Sequence, residues 1–182
     1  MGALNKLLVP WQGKAMLRHI VETALDSAAW ETIVVTGHDG DAIIQALEGL
    51  DVRVVHNPRF EEGLSTSLAT GIGAVESEGA AILLGDMPDL KVETLNALIT
   101  AFLDSDMRSI CVPVCDGRRG NPVIWPRQFF PDIAHLSGDK GARNLMTLFK
   151  ERVREVPCDD NGVLMDIDTI DDIPLSSSAR QD

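Results

Sequence analysis

A carboxylate follows directly on a buried segment at residues 80–86. Residues 80–84 are apolar, which predicts a buried strand, and Gly85-Asp86 comes immediately after it. Ligands of open α/β sheets bind outside the carboxyl ends of the strands, and Asp86 occupies such an end. One carboxylate there suits Mg²⁺, which takes few protein oxygens and keeps several waters. An acid that caps the turn or a nearby helix N-terminus explains the same position, and the residues alone leave both interpretations open.

A second acidic cluster follows the apolar residues 163–165. It comprises Asp166, Asp168, Asp171 and Asp172. Alternation along an extended segment puts Asp166 and Asp168 on one side, so one of them could give the same ion a second carboxylate. Alternatively, Asp168-Thr169 caps a last short helix and the other acids occupy its first turn, which the residues alone favour.

Three hydroxyl residues, Ser65, Thr66 and Ser67, stand at the start of a predicted helix after Gly63. Backbone N–H groups at a helix start can hold an anion or contact a base. Ordinary N-capping explains one hydroxyl but not three together. Lys6 is open to two interpretations: a surface lysine, or a phosphate ligand if it borders a glycine-rich loop.

Two glycine-rich cationic segments, residues 118–122 and 138–143, interrupt an otherwise acidic chain. A local reversal of charge of this kind indicates binding of an anionic substrate. A hairpin turn and a helix start explain the two segments equally well.

Periodicity along the chain predicts alternating helices and strands. Helical spacing is found in residues 14–28, 40–49, 65–77, 92–106 and 141–151; short apolar runs that predict strands are 32–37, 52–57, 80–84, 109–115, 121–125, 153–157 and 163–168. The alternation predicts βαβ units and a Rossmann-like three-layer α/β/α fold. Its sheet is expected to be mostly parallel, with an antiparallel hairpin element around residues 116–120. One domain over residues 1–175 and a disordered tail at 176–182 are expected.

Composition excludes several classes of partner and compartment. The 182 residues carry a formal charge of −12, which disfavours a nucleic-acid partner because a phosphate backbone requires a basic surface. No run approaches the ~20 apolar residues of a membrane span, and no secretory signal is visible. Three cysteines without a C-x-x-C pair indicate free thiols in a reducing compartment, so the cytoplasm is the expected location.

Seven motifs in register resemble the MobA-like nucleotidyltransferase family, which includes molybdenum-cofactor cytidylyltransferase. The matching segments are N-K-L-L (5–8), V-V-T-G-H-D (34–39), H-N-P…G-L-S-T-S-L-A-T-G (56–71), L-L-G-D-M-P (83–88), G-R-R-G-N-P-V (117–123), G-D-K-G-A-R (138–143) and G-V-L-M-D-I-D-T (162–169). Each is weak alone, but together they cover the chain to about residue 173. The resemblance implies a nucleotide-diphospho-sugar transferase-like fold and transfer of CMP from CTP to a phosphorylated pterin, with release of pyrophosphate.

The resemblance also implies roles for individual residues. Asp86 and Asp168 would bind Mg²⁺, and Lys6 and Gly2 would contact the triphosphate. The segment Gly63, Ser65, Thr66 and Ser67 would read the base. The acceptor would face Arg119, Gly120, Asn121, Pro122, Asp139 and Gly141. A molybdoenzyme or its maturation factor is the implied protein partner.

The chain departs from the family pattern at its beginning. Members open with a buried strand and a glycine-rich L-A-A-G-x-S-x-R-M-G loop, of which only Met1-Gly2 is matched. That strand lies in the middle of the family's sheet, and burial of five or six apolar side chains at ~1.5–3 kcal/mol each rivals a domain's net stability of ~5–15 kcal/mol. We therefore expect the natural protein to begin upstream of Met1 and this chain to be impaired in catalysis. The family's D-T-P-E-D ending also lacks its proline at Ile170, which is a minor change.

Two alternatives to the cytidylyltransferase remain open at this point. One is a catalytically inactive binding or assembly module with the same fold. The other is a nucleotidyltransferase that uses a sugar- or isoprenoid-phosphate acceptor.

Overall fold

The structure is a computed structural model that describes residues 5–136, 138 and 142–165. Its helices are α1 (Met16–Leu25), α2 (Gly40–Ala46), α3 (Leu64–Ala74), α4 (Val92–Asp104), α5 (Phe130–Ala134) and α6 (Arg143–Leu148). Its strands are β1 (Pro10–Trp11), β2 (Lys14–Ala15), β3 (Ile33–Thr36), β4 (Arg53–His56), β5 (Gly79–Ile82), β6 (Ile110–Cys115), β7 (Arg118–Arg119), β8 (Val123–Pro126) and β9 (Val153–Pro157). None of the helices within these ranges is long and apolar enough to cross a bilayer.

Strands β5 to β9 form one mixed sheet. β8 lies between β5 and β6 and runs antiparallel to both, while β9 pairs in parallel with the other edge of β6. β5, β6 and β9 therefore share one direction, and the β7–β8 segment supplies the antiparallel element. This arrangement agrees with the predicted fold class.

Alternating side chains of this sheet face two different helical layers. Ile110 and Val112 of β6 pack in a cluster with residues of α3 and α5, whereas Cys111 packs with α4. Trp125 and Ile124 of β8 alternate in the same way between the two clusters. Helices thus cover both faces, as the period-2 pattern of a strand buried on both sides requires.

Helix α1 shows how an apolar stripe positions an element. Its buried side chains are Met16, Leu17, Ile20, Val21 and Ala24, which recur at the spacing of one helical face. Leu17, Ile20 and Val21 join Val34 of β3 in one cluster. The predicted helix over residues 14–28 is confirmed in type, and the structure ends it at Leu25.

Strands β3 and β4 form a separate parallel pair, in register from Ile33 opposite Arg53 to Thr36 opposite His56. Within the described residues, β3 pairs only with β4, and β5 pairs only with β8. The sheet is thus divided between β3 and β5.

Three local features differ from the sequence-based expectations. Residues 5–10 resemble the end of a loop that enters a strand, but Asn5 Oδ1 accepts from the Leu7 amide and a 3₁₀ turn covers Lys6–Leu8. A two-residue turn with positive φ at Gln12 and Gly13 then joins β1 to β2, a hairpin not predicted. The strand predicted at 163–168 is wrong at its start, where a 3₁₀ helix spans Asn161–Leu164; residues 166–168 lie outside the described residues.

Candidate active site

Asp86 and Lys6 are brought together across 80 positions of sequence. The Lys6 Nζ donates to Asp86 Oδ2 at 2.8 Å, with side chains 35% and 17% exposed respectively. Lys6 lies on the 3₁₀ turn before β1, and Asp86 lies in the loop after β5. The two residues assigned to metal and triphosphate by resemblance therefore form one ion pair.

Gly85 permits the close packing that positions Asp86. A Cβ at this residue would lie 3.1 Å from Leu17 Cδ1 and 3.1 Å from Leu7 Cδ2. These contacts are tighter than ordinary van der Waals distances, so the glycine lets the loop lie against α1 and the 3₁₀ turn. Met87 and Leu90 are buried beyond it and anchor the other end of the loop.

The second oxygen of Asp86 is a candidate for a metal ligand. Asp86 Oδ1 is buried and has no hydrogen-bond partner among the described residues. A buried unpaired carboxylate oxygen is costly, and a hard divalent cation with its waters would satisfy it. The donor set therefore fits Mg²⁺, although no cluster of three potential ligands occurs within the described ranges. Asp168, the other predicted ligand, lies outside them.

The hydroxyl segment is arranged around Gly63 and the start of α3. Gly63 has φ +103°, a conformation that glycine adopts readily. The Thr66 hydroxyl lies 2.9 Å from the carbonyl oxygens of both Gly63 and Arg59, which fixes the loop before the helix. Ser65 and Thr66 are buried, while Ser67 is half-buried at the same helix end.

Asn57, directly after β4, is hydrogen-bonded to this segment through its side chain. Its Nδ2 donates to Thr66 Oγ1 at 2.9 Å and to Ser67 Oγ at 3.0 Å. Its Oδ1 accepts from the Arg59 amide at 2.9 Å. The resemblance assigns Asn57 no role, although its place after a strand, next to His56, puts it among the polar residues expected at this edge of the sheet. The only signal in the sequence is a polar residue at the end of a strand and before a proline.

The predicted acceptor segment 119–122 lies against the 3₁₀ helix at Asn161–Leu164. Val163 O accepts from the Asn121 amide at 2.9 Å, and a Cβ on Gly120 would meet that same oxygen at 2.1 Å. Arg119 Nε donates to Glu155 Oε1 at 2.8 Å on the exposed surface, so an acceptor anion would compete with this carboxylate. Pro122 is buried.

The second cationic segment contributes one described contact to the site. Gly138 O accepts from the Ser65 amide at 3.4 Å, which brings Gly138 beside the hydroxyl segment. The predicted residues Asp139 and Gly141, like Gly2, lie outside the described residues. Their roles stay predictions.

Two of the three cysteines, Cys111 and Cys158, are poor nucleophiles at neutral pH because their pKa is raised. Burial raises the pKa of Cys111 to about 11 and also raises the pKa of Cys158. A thiol is nucleophilic as the thiolate, which burial disfavours at these two positions.

Comparison with solved structures defines the class of protein. A manganese complex of Rv0371C from Mycobacterium tuberculosis H37Rv matches with a TM-score of 0.73 at 27% identity, over 93% of this chain and 90% of that one. A nucleotidyl transferase from Methanothermobacter thermautotroptrophicus matches with a TM-score of 0.77 at 24% identity, over 92% and 81%. The fold is that of the nucleotidyltransferases.

The sequence defines the family. The profile of the MobA-like NTP transferase domain matches residues 1–156, and the chain belongs to this family. The molybdenum cofactor cytidylyltransferase of Escherichia coli strain K12 is 23% identical over 92% of this chain and 84% of its own length. Nicotine blue oxidoreductase of Paenarthrobacter nicotinovorans is 26% identical over 94% and 87%.

Proposed function

We propose that this nucleotidyltransferase moves CMP from CTP to the phosphate of a molybdopterin-type cofactor and releases pyrophosphate. The observation that carries the proposal is the Asp86 carboxylate, which is paired with Lys6 through one oxygen and, within the part of the chain that the structure describes, is buried without a partner at the other. The similarity to a cytidylyltransferase over nearly the whole chain supports the choice of nucleotide and acceptor.

Different residues of the chain bind the base and stabilise the negative charge of the phosphates. Ser65, Thr66 and Ser67 hold the base, and Lys6 places its ammonium beside the phosphates. The ammonium donates to Asp86, so both groups lie at the same end of the site. Asp86 would hold Mg²⁺, which when bound supplies positive charge to the phosphate oxygens.

The reaction is an in-line exchange of one P–O bond for another. An oxygen of the acceptor phosphate forms a bond to the α-phosphorus, and the bond from that phosphorus to the bridging oxygen of pyrophosphate breaks. Positioning and electrostatic stabilisation carry such a reaction, and the Lys6 ammonium offsets the charge on the departing oxygens.

The test is pyrophosphate release with Mg²⁺, screened over CTP, GTP, ATP and UTP with a molybdopterin-type acceptor. Both the 182-residue chain and a form extended upstream are assayed. We expect CTP to be preferred and release to depend on the acceptor.

Three outcomes, two from this assay and one from calorimetry beside it, would contradict parts of the proposal. Release only with a sugar or isoprenoid phosphate would overturn the pterin acceptor, and preference for another NTP would overturn the choice of CTP. Calorimetric binding of nucleotide without turnover in either form would favour an inactive binding module.

A further inference from the structure

Asn57 is a buried amide whose orientation is fixed by its surroundings. The side chain is 1% exposed and all three of its polar contacts are to protein groups. The Arg59 amide can only donate, so the group that faces it at 2.9 Å must be the amide oxygen. The NH₂ group therefore points toward Thr66 and Ser67.

The two hydroxyls that receive these N–H groups have different uses for their own hydrogens. The Thr66 hydroxyl lies 2.9 Å from two backbone carbonyls, and its single hydrogen is donated there. Ser67 Oγ accepts from Asn57 at 3.0 Å, and the described residues offer no acceptor for its hydrogen. Ser67 is half-buried at the same place, so its hydrogen can reach a ligand.

We propose that Asn57 is a positioning residue that fixes the Ser67 hydroxyl as a hydrogen-bond donor to an acceptor atom of the nucleotide base. This inference rests on the proposed function. A hydroxyl can accept or donate, and an unconstrained serine would suit either kind of base atom. With one lone pair held by Asn57, the Ser67 hydroxyl directs its hydrogen toward a ring nitrogen or carbonyl oxygen, both of which cytosine presents.

The substitution Asn57→Asp reverses this polarity with almost no change in size. A carboxylate keeps an acceptor for the Arg59 amide but offers no N–H group, so the Ser67 hydroxyl turns to donate to it. Ser67→Ala removes the hydroxyl itself. Asn96→Asp is the matched control, because Asn96 Oδ1 likewise accepts from a backbone amide, that of Ala28 at 2.8 Å, on the surface of α4.

The measurement is the dissociation constant for CTP and for ribose 5-triphosphate, which has no base, by calorimetry with Mg²⁺. We expect Asn57→Asp and Ser67→Ala each to weaken CTP binding by roughly 3- to 10-fold, the range of one neutral hydrogen bond. Binding of ribose 5-triphosphate should be unchanged. The double variant should lose no more than either single variant, since Asn57 acts through Ser67.

The outcomes separate this inference from the proposed function. If the unsubstituted chain binds no NTP more tightly than ribose 5-triphosphate, base recognition and the proposed function both fail. If it prefers CTP but Asn57→Asp binds CTP equally well, only the role of Asn57 is overturned. Equal losses for both ligands in Asn57→Asp, with Asn96→Asp unaffected, would show a structural role instead and would also overturn the inference.

Discussion

The two oxygens of Asp86 lie in different surroundings, and this difference decides what a substitution there should do. Oδ2 is held by Lys6 at 2.8 Å, whereas Oδ1 is buried without a described partner. Such a carboxylate contributes little to folding, because its ion pair is partly exposed and its other oxygen is unsatisfied. Its value is expected to lie in binding a cation.

Asp86→Asn should reduce pyrophosphate release by about 100-fold or more, since it removes the charge that holds the metal. The free energy of unfolding should change by less than about 1 kcal/mol. Turnover and thermal denaturation measure the two effects. The control is Asp89→Asn, an exposed acid in the same loop, which should leave both unchanged; full activity of Asp86→Asn would remove Asp86 from the site.

Gly120 and Gly73 should respond in opposite ways to alanine. A Cβ at Gly120 would meet Val163 O at 2.1 Å, whereas one at Gly73, in the exposed face of α3, has nothing within 4 Å. Gly120→Ala should lower the free energy of unfolding by about 1–3 kcal/mol, and Gly73→Ala should raise it by about 0.5–1 kcal/mol. Chemical denaturation checks both, and a neutral Gly120→Ala would show that the segment moves away from Val163 without cost.

At the scale of elements, the acidic residue Glu22 of α1 forms ion pairs that fix the helix against its neighbours. Glu22 pairs with Lys14 of β2 and with Arg18, 3.0 Å away on the same helix. Arg18 in turn donates to the carbonyls of Ala46 and Glu48 after α2. The hydrogen bond from Lys14, followed by that from Arg18, lowers the pKa of Glu22 against the opposing effect of burial.

A lowered pKa in the folded state makes the contribution of Glu22 depend on pH in a definite direction. The stabilisation is present above the ordinary glutamate pKa and is lost as the pH falls through the folded value. Glu22→Gln should therefore lower the free energy of unfolding at pH 7 by less than about 1 kcal/mol, and this difference should shrink as the pH falls from the ordinary glutamate pKa through the lowered folded value. A pH-independent difference would assign the effect to packing instead.

The elements also show which parts of the fold could be predicted from the sequence. The stripe of α1 and the apolar runs of β3, β5 and β6 are local patterns, and the helix and strand types followed from them. The hairpin at Gln12-Gly13 carries no apolar period, because its strands are only two residues long. The start of α4 depends on Asp160, a buried acid distant in sequence that accepts from Lys91 N and Thr94 Oγ1.

The candidate site likewise contains residues that could be predicted from the sequence and contacts that could not. Asp86 and Ser67 could be named from strand-end and helix-start patterns. The pairing of Asp86 with Lys6 spans 80 positions, and no local pattern encodes it. The orientation of the Asn57 amide depends on which backbone group faces it, which only the three-dimensional arrangement reveals.

At the scale of the whole molecule, β3 and β5 each have one edge without a partner strand among the described residues, and this should affect their amide hydrogen exchange in solution. β6 is paired on both edges, by β8 and β9, whereas β3 and β5 are each paired on one edge within the described residues. Amide hydrogen exchange should be slowest in β6 and faster at alternate residues of β3 and β5. NMR-detected exchange tests this, and uniform protection along β3 and β5 would mean that another segment pairs with them.

The division of the sheet also bears on the role of the substrate. The helix that carries Ser67 follows β4, and the loop that carries Asp86 follows β5, so the proposed contacts for base and phosphate lie on opposite sides of the division. A nucleotide bound in this way would contact both sides of the division, which already share the apolar cluster that includes Val34 and Cys115. Ligand binding to the folded state raises stability in proportion to RT ln(1 + [L]/Kd). For this chain, bound substrate would therefore stabilise the contacts between the β3–β4 pair and the five-stranded sheet, and its release would weaken them.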